Sequence, residues 1–236
     1  CENLQYLNCA YSEYVAVPAH ILKYNFYRVP DHLPFEQAAL LEPLACAVHG
    51  SDRIPAKVGD TVAVIGAGPI GLMFMKLLSL KGCRVIAVDL SDYRLEQSEK
   101  FGVWKTVNAS GEEHIKQVRD LCGGKGADVD VEATGFPEVW ENAVNMVRPG
   151  GTVLAFGGTK AGTSITLDCQ KFHYEEITLK AVYHHTPYHV QLALKLLSNG
   201  QIDGSLFITG HYPLEKAIDA LESIGRQEGI KYAIIP

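Results

Sequence analysis

The segment Gly66-Ala67-Gly68-Pro69-Ile70-Gly71 sets three glycines at the spacing of a phosphate-binding turn. Gly66 permits a tight turn, Gly68 lets the backbone approach a pyrophosphate, and Gly71 lets a helix pack on the strand before it. A helix opening there turns free N–H groups and the positive end of its dipole toward an anion. Asp89 ends the next apolar run, close to the roughly 20-residue spacing at which such turns carry an acid. A carboxylate in that place accepts hydrogen bonds from ribose hydroxyls and repels a 2′-phosphate, so NAD is expected rather than NADP. Leu90, Ser91 and Asp92 bring no positive charge for a phosphate. Arg94, one turn into the following helix, either lies over the adenosine or is a solvated helix-face residue. The alternative is a purely structural glycine turn with an acid capping the next helix. A strand before, a helix after and an acid on the following strand together favour the dinucleotide.

Two further glycine pairs end apolar runs: Thr134-Gly135 and Gly157-Gly158. Each either faces a ligand at the carboxyl end of a parallel strand or makes an ordinary turn. Glu42 stands alone in an apolar stretch, Leu40 to Val48. A buried carboxylate needs a partner or a metal, whereas a solvent-facing one needs neither. No second ligand lies near it in sequence, and one carboxylate cannot hold a zinc ion. His184, His185 and His189 surround Thr186-Pro187. His185 and His189 stand at helical i,i+4 spacing, which suits either a metal pair or the decoration of a helix start, with His184 at a strand end facing a cleft. No GxSxG turn or Cys/His nucleophile pattern supports hydrolysis.

These residues need elements to hold them. From residue 61 onward strand and helix patterns alternate: strands at 61–66, 84–89, 103–107, 127–132, 152–157, 164–167 and 177–183, helices at 69–81, 92–101, 111–122, 137–147 and 187–199. Repeated βα units with short loops predict an α/β fold, a doubly wound parallel sheet with helices on both faces. The ends read differently. Residues 1–35 suggest short strands and loops, 36–50 a helix kinked at Pro43, and 201–236 a strand, a helix and a strand. Residues 1–50 and 201–236 are therefore expected to form a second domain, interrupted by a sheet domain at 51–200.

The 236 residues, 47% apolar and 20% charged, are those of a globular protein. A net charge of −6 leaves no basic excess for nucleic acid. Val62–Leu80 is long enough to span a bilayer, yet its glycines and Pro69 read better as strand, turn and amphipathic helix, so no membrane is expected. The six cysteines have no CxxC spacing, which suits a reduced, cytoplasmic protein.

As a set the residues resemble the zinc-dependent medium-chain alcohol/polyol dehydrogenases, in particular the sorbitol and threonine dehydrogenase branch. The matching pieces are Ser12 to Val15, Leu41-Glu-Pro-Leu44 with Val48-His49, Gly59 to Val62 running into the glycine turn, and Asp89 to Ser91 with Arg94. Glu132-Ala-Thr-Gly135, Arg148-Pro-Gly-Gly151, Tyr212 to Ala217 and Lys231 complete the match over essentially the whole chain. The resemblance implies a Rossmann domain inserted in a GroES-like catalytic domain, and reversible oxidation of an alcohol or polyol. Zinc would polarise the substrate oxygen while hydride passes to NAD. It places Ile70, Asp89 and Arg94 on the adenosine side, Phe156, Gly157 and Gly158 on the nicotinamide side, and Val182, Tyr183 and His184 in a second cofactor-lining segment. His184 stands where sorbitol dehydrogenases carry Arg. Glu42 matches the acid at the catalytic zinc, acting directly or through water, and Cys1 the last cysteine of a structural zinc lobe. The family's other zinc ligands lie upstream of this sequence, so an N-terminally incomplete chain with only part of the GroES-like domain is expected. Rival readings are a zinc-free enone or quinone reductase, against which Glu42-Pro43 argues, and a dinucleotide-binding module without catalysis. The family also implies a homodimer or homotetramer, with Ser164–Leu167 as the edge strand that pairs.

Overall fold

A computed structural model describes residues 11–236. Cys1 lies outside the described residues. In chain order the elements are α1 (Ala19–Tyr24), α2 (Phe35–Ala38), α3 (Leu41–Arg53), β1 (Thr61–Ile65), α4 (Pro69–Leu80), β2 (Arg84–Asp89) and α5 (Asp92–Ser98). There follow β3 (Lys105–Asn108), α6 (His114–Leu121), β4 (Ala127–Glu132), α7 (Pro137–Met146), β5 (Val147–Ala155), α8 (Cys169–Tyr174) and β6 (Thr178–Ala181). The chain closes with α9 (Pro187–Ser198), β7 (Ile208–Pro213), α10 (Ala217–Gly225) and β8 (Lys231–Ile235). Two compact units result: Cys46–Tyr183, and the chain up to Ala45 together with His184–Pro236. The division falls inside α3, and α9 groups with the chain ends rather than with the sheet, unlike the boundaries read from sequence.

The first unit is a six-stranded sheet in the order β3-β2-β1-β4-β5-β6, every pair parallel. Strands covered on both faces need apolar residues at every position, and all five of β1 are buried. On one face Ala63, Ile65, Ile86, Val88 and Val153 pack with Val118 of α6 and Ala143, Val144 and Met146 of α7. Val62, Val64, Val85 and Leu154 alternate to the other face and are fully buried. The strand order reverses between β1 and β4, where open α/β sheets form a crevice at the carboxyl ends.

In the second unit β7 and β8 form a parallel pair flanked by α10. Contacts spanning more than 150 residues of sequence join its two stretches. Tyr27 donates to the carbonyl of Pro187 at 3.3 Å, His32 Nε2 meets the carbonyl of Ser198 at 2.9 Å, and His211 Nε2 meets Glu36 Oε2 at 2.6 Å.

Several sequence expectations need correction. Ser164–Leu167 is unpaired; the Thr166 N–H donates to Glu141 Oε1 at 2.7 Å instead, and β6 is the edge strand. Pro43 does not kink a helix, because α3 starts at Leu41 and its first turn has no N–H to lose. Residues 11–35 hold no strand but loops and the short helix α1. No helix of the described residues is long and apolar enough to cross a membrane.

Candidate functional site

Within the sheet unit, Gly66–Gly71 links β1 to α4, with Gly68 as the N-cap and Pro69 as the first helical residue. A side chain on Gly71 would collide with the Gly66 carbonyl oxygen, so helix and turn touch backbone to backbone. At Gly68 a Cβ would meet nothing within 4 Å, which leaves open space where an anion could approach the helix start. Ile70 and Pro69 are half-buried beside it. Asp89 is held against the turn: Ala67 donates to Oδ2 at 2.7 Å and Ser91 to Oδ1 at 2.9 Å. A carboxylate has about four acceptor positions, so each oxygen keeps capacity for a hydroxyl. Leu90 is exposed, and half-buried Arg94 uses its backbone N–H on Ser91 Oγ, the N-cap of α5.

Glycine also packs the neighbouring strand ends. A Cβ on Gly66 would stand 2.8 Å from the Thr134 methyl, and one on Gly157 would collide with the Gly135 nitrogen. Glu132 organises this seam. It is fully buried, and its Oε1 accepts from Thr134 N at 2.6 Å, Thr134 Oγ1 at 2.5 Å and Gly135 N at 2.8 Å. Phe156 and Gly157 donate their N–H groups to the Glu132 carbonyl, and the Phe156 ring meets Phe74 edge-on at 4.9 Å. The unit thus brings Gly66, Gly68, Gly71, Thr134, Phe156, Gly157 and Gly158 to the carboxyl ends of β1, β4 and β5. Val182 and Tyr183 follow β6, the first half-buried and the second exposed.

Two acids of β4 carry roles that the sequence alone does not assign, Glu132 being there only part of a matching motif. Glu132 positions the Thr134 turn, and Asp130 lies fully buried in the core. Their signal was acidic residues alternating with valine in Asp128-Val-Asp-Val-Glu132, an odd pattern for a central strand.

In the other unit, Glu42, His184 and His185 bring one donor atom each within 4.8 Å of one another. His185 Nε2 stands 3.6 Å from Glu42 Oε1, and the two imidazoles are 4.7 Å apart between centroids. His184 has a left-handed backbone, φ +62°. Burial pushes the Lys231 ammonium below its ordinary value, and the Glu42 charge pulls it partly back. Of the two alternatives that the His185/His189 spacing left open, the helix-start one holds for His189. The His189 side chain turns back on its own helix start, where Nδ1 accepts the Thr186 N–H at 3.2 Å and lies 2.9 Å from Thr186 Oγ1. Imidazole and carboxylate are borderline and hard donors that suit zinc.

Residues 69–199 match the family described as zinc-binding dehydrogenase. The chain is 31% identical over 231 residues to erythritol/L-threitol dehydrogenase of Mycolicibacterium smegmatis, covering 96% of itself and 62% of that protein. It is 32% identical to sorbitol dehydrogenase of Ovis aries, covering 89% and 60%. Among solved structures, an alcohol dehydrogenase from Thermus sp. ATN1 superposes with a TM-score of 0.82 at 28% identity, covering 90% and 62%. A Sinorhizobium meliloti protein of the zinc-binding dehydrogenase type, solved with NADP, gives 0.84 at 26%, covering 89% and 62%. The chain spans about three fifths of the length of these relatives.

Proposed function

From a chain that belongs to the zinc-binding dehydrogenase family, we propose the cofactor-binding part and a portion of the catalytic part of an NAD-linked alcohol or polyol dehydrogenase. The observation that carries this reading is Asp89, fixed by two backbone N–H groups beside an open glycine turn at the sheet's switch point. The turn and the α4 N-terminus would take the pyrophosphate, Asp89 the adenosine ribose, and Arg94 and Ile70 the adenosine side. Thr134, Phe156, Gly157, Gly158, Val182, Tyr183 and His184 would line the nicotinamide side. NAD supplies the hydride acceptor, and zinc, where bound, supplies a Lewis acid for the alcohol oxygen. Glu42 would hold the ion directly or through water. Cys1, outside the described residues, would belong to a structural zinc.

The family match and the donors around Glu42 favour this reading over a zinc-free reductase. Reduced thiols at Cys83, Cys122 and Cys169 support a reducing, cytoplasmic setting. A homodimer or homotetramer belongs to the same reading, supported by the edge position of β6 and tested by light scattering.

Calorimetric titration of NADH and NADPH into the purified chain tests the cofactor assignment. A hydrogen bond to a charged group contributes roughly 1.5–3 kcal/mol, or about 10- to 100-fold in affinity. NADH should therefore bind at least tenfold more tightly than NADPH, and Asp89→Asn should narrow the gap. Equal affinities for the two cofactors would sink the assignment. The NADP-bound relative shows that the family's fold admits the other outcome.

A further inference from the structure

We propose that Glu132 tunes the cofactor site by its charge: the buried carboxylate that fixes the turns after β4 and β5 also makes the site favour the oxidised, cationic nicotinamide over the neutral reduced one. The proposal rests on the nicotinamide-side placement of these turns under the dehydrogenase reading. Glu132 is a positioning residue, acting on the ring through the turns and through its field.

Glu132 ends β4 at the centre of the sheet, in register with Ile65 of β1 and Ala155 of β5. Its two oxygens are used unequally. Oε1 accepts from Thr134 N, Thr134 Oγ1 and Gly135 N. So many donors on one oxygen suit the ionised carboxylate, which only accepts. Oε2 is buried and has no hydrogen-bond partner among the described residues. None of their ion pairs includes Glu132. A bare buried anionic oxygen is costly unless a positive charge approaches it.

The bare oxygen lies against the nicotinamide-side turn. A Cβ on Gly157 would stand 2.8 Å from Oε2, and with glycine there no side chain of that residue intervenes. At Gly158 a Cβ would meet nothing within 4 Å, so the next residue borders open space. The nicotinamide ring of NAD⁺ is a pyridinium cation, and hydride addition makes it neutral. Glu132 therefore attracts the ring before hydride transfer and not after it, which helps the reduced cofactor to leave. Even about 10 Å apart, two unit charges at an effective dielectric of about 20 couple by enough for roughly tenfold in affinity.

The test titrates NAD⁺ and NADH by calorimetry into the 236-residue chain and its variants. Glu132→Gln keeps the shape and one acceptor oxygen and removes the charge. It should lower NAD⁺ affinity relative to NADH by roughly fivefold or more. A purely structural Glu132 would move both affinities together and leave their ratio fixed. Thr134→Val removes a hydrogen bond to Oε1 and keeps the charge, so both cofactors should weaken alike, with a ratio within about twofold of the parent's. Far-UV circular dichroism checks that each variant folds. Should Glu132→Gln not fold, Thr134→Val still decides: a ratio that holds supports the proposal, and one that shifts traces the preference to turn geometry and overturns it. An unchanged ratio in folded Glu132→Gln overturns the proposal and leaves the dehydrogenase reading intact. A parent that binds neither cofactor overturns both.

Discussion

Replacing Asp130 with valine should stabilise the sheet unit, and by more as the pH rises. Asp130 is fully buried, in register with Ala63 on one side and Val153 on the other. Neither carboxyl oxygen has a hydrogen-bond partner among the described residues. Burial pushes this acid well above the usual carboxylate range, and the nearby Arg119 charge only partly opposes it. Below the unfolded value of 3.8 both states are protonated and titration has no effect on stability. Above it the unfolded chain releases its proton while the folded one holds on, so stability falls with rising pH until the buried acid ionises. A carboxyl still protonated at pH 7 would cost about 4 kcal/mol at most, from roughly 1.4 kcal/mol per pH unit. A buried polar group without a partner costs roughly 1–3 kcal/mol more at every pH. Asp130→Val should therefore gain about 1–3 kcal/mol near pH 4 and up to about 4 kcal/mol more at pH 7. Urea unfolding of both proteins from pH 4 to pH 8 reads this directly. Asp130→Asn separates the contributions, since it abolishes titration and leaves a buried polar group. A valine variant that is less stable than the parent, or whose gain does not change with pH, would refute the reasoning.

Asp128, two residues earlier, should act in the opposite sense. Burial raises its carboxyl, but hydrogen bonds from Arg148 and the Thr61 N–H, with the Arg148 and Arg84 charges, outweigh that and hold it below the ordinary value. Its contribution is complete above the unfolded value and lost as pH falls through the lower folded one, so Asp128→Asn should flatten the acid limb of the stability profile, as urea unfolding between pH 2 and pH 5 would show. Gly71→Ala should lower NADH affinity at least tenfold, because its new methyl meets the Gly66 carbonyl and crowding of this kind costs roughly 1–3 kcal/mol; fluorescence titration giving the parent affinity would contradict this.

The sheet could be read from the chain because β1 and β2 each carry an unbroken apolar run, Val62–Ile65 and Val85–Val88, too short for a helix. Ser164–Leu167 misled for a physical reason. Its polar/apolar alternation mimics a strand, yet Asp168 next to it caps α8, and the Thr166 N–H goes to a side chain. Asp89 and the glycine turn were legible because their chemistry is local. The Glu42 cluster was not, since roughly 140 residues separate Glu42 from His184 and only the path of the chain brings them together. His189 fell to a competing local use, the cap of its own helix, that i,i+4 spacing alone does not reveal.

The interrupted order of the second unit sets a timetable for synthesis. Its first stretch ends at Ala45 and its second begins at His184, so roughly 140 residues must leave the ribosome in between. At about 5–20 residues per second that is a wait of roughly 7–28 s. Throughout it, Tyr27, His32 and Glu36 have none of their later partners Pro187, Ser198 and His211. Meanwhile the sheet unit is contiguous and can close as soon as β6 emerges. The nascent chain therefore carries a finished domain between two unmatched ends, and β7 keeps an open edge until the last few residues of β8 arrive to cover it.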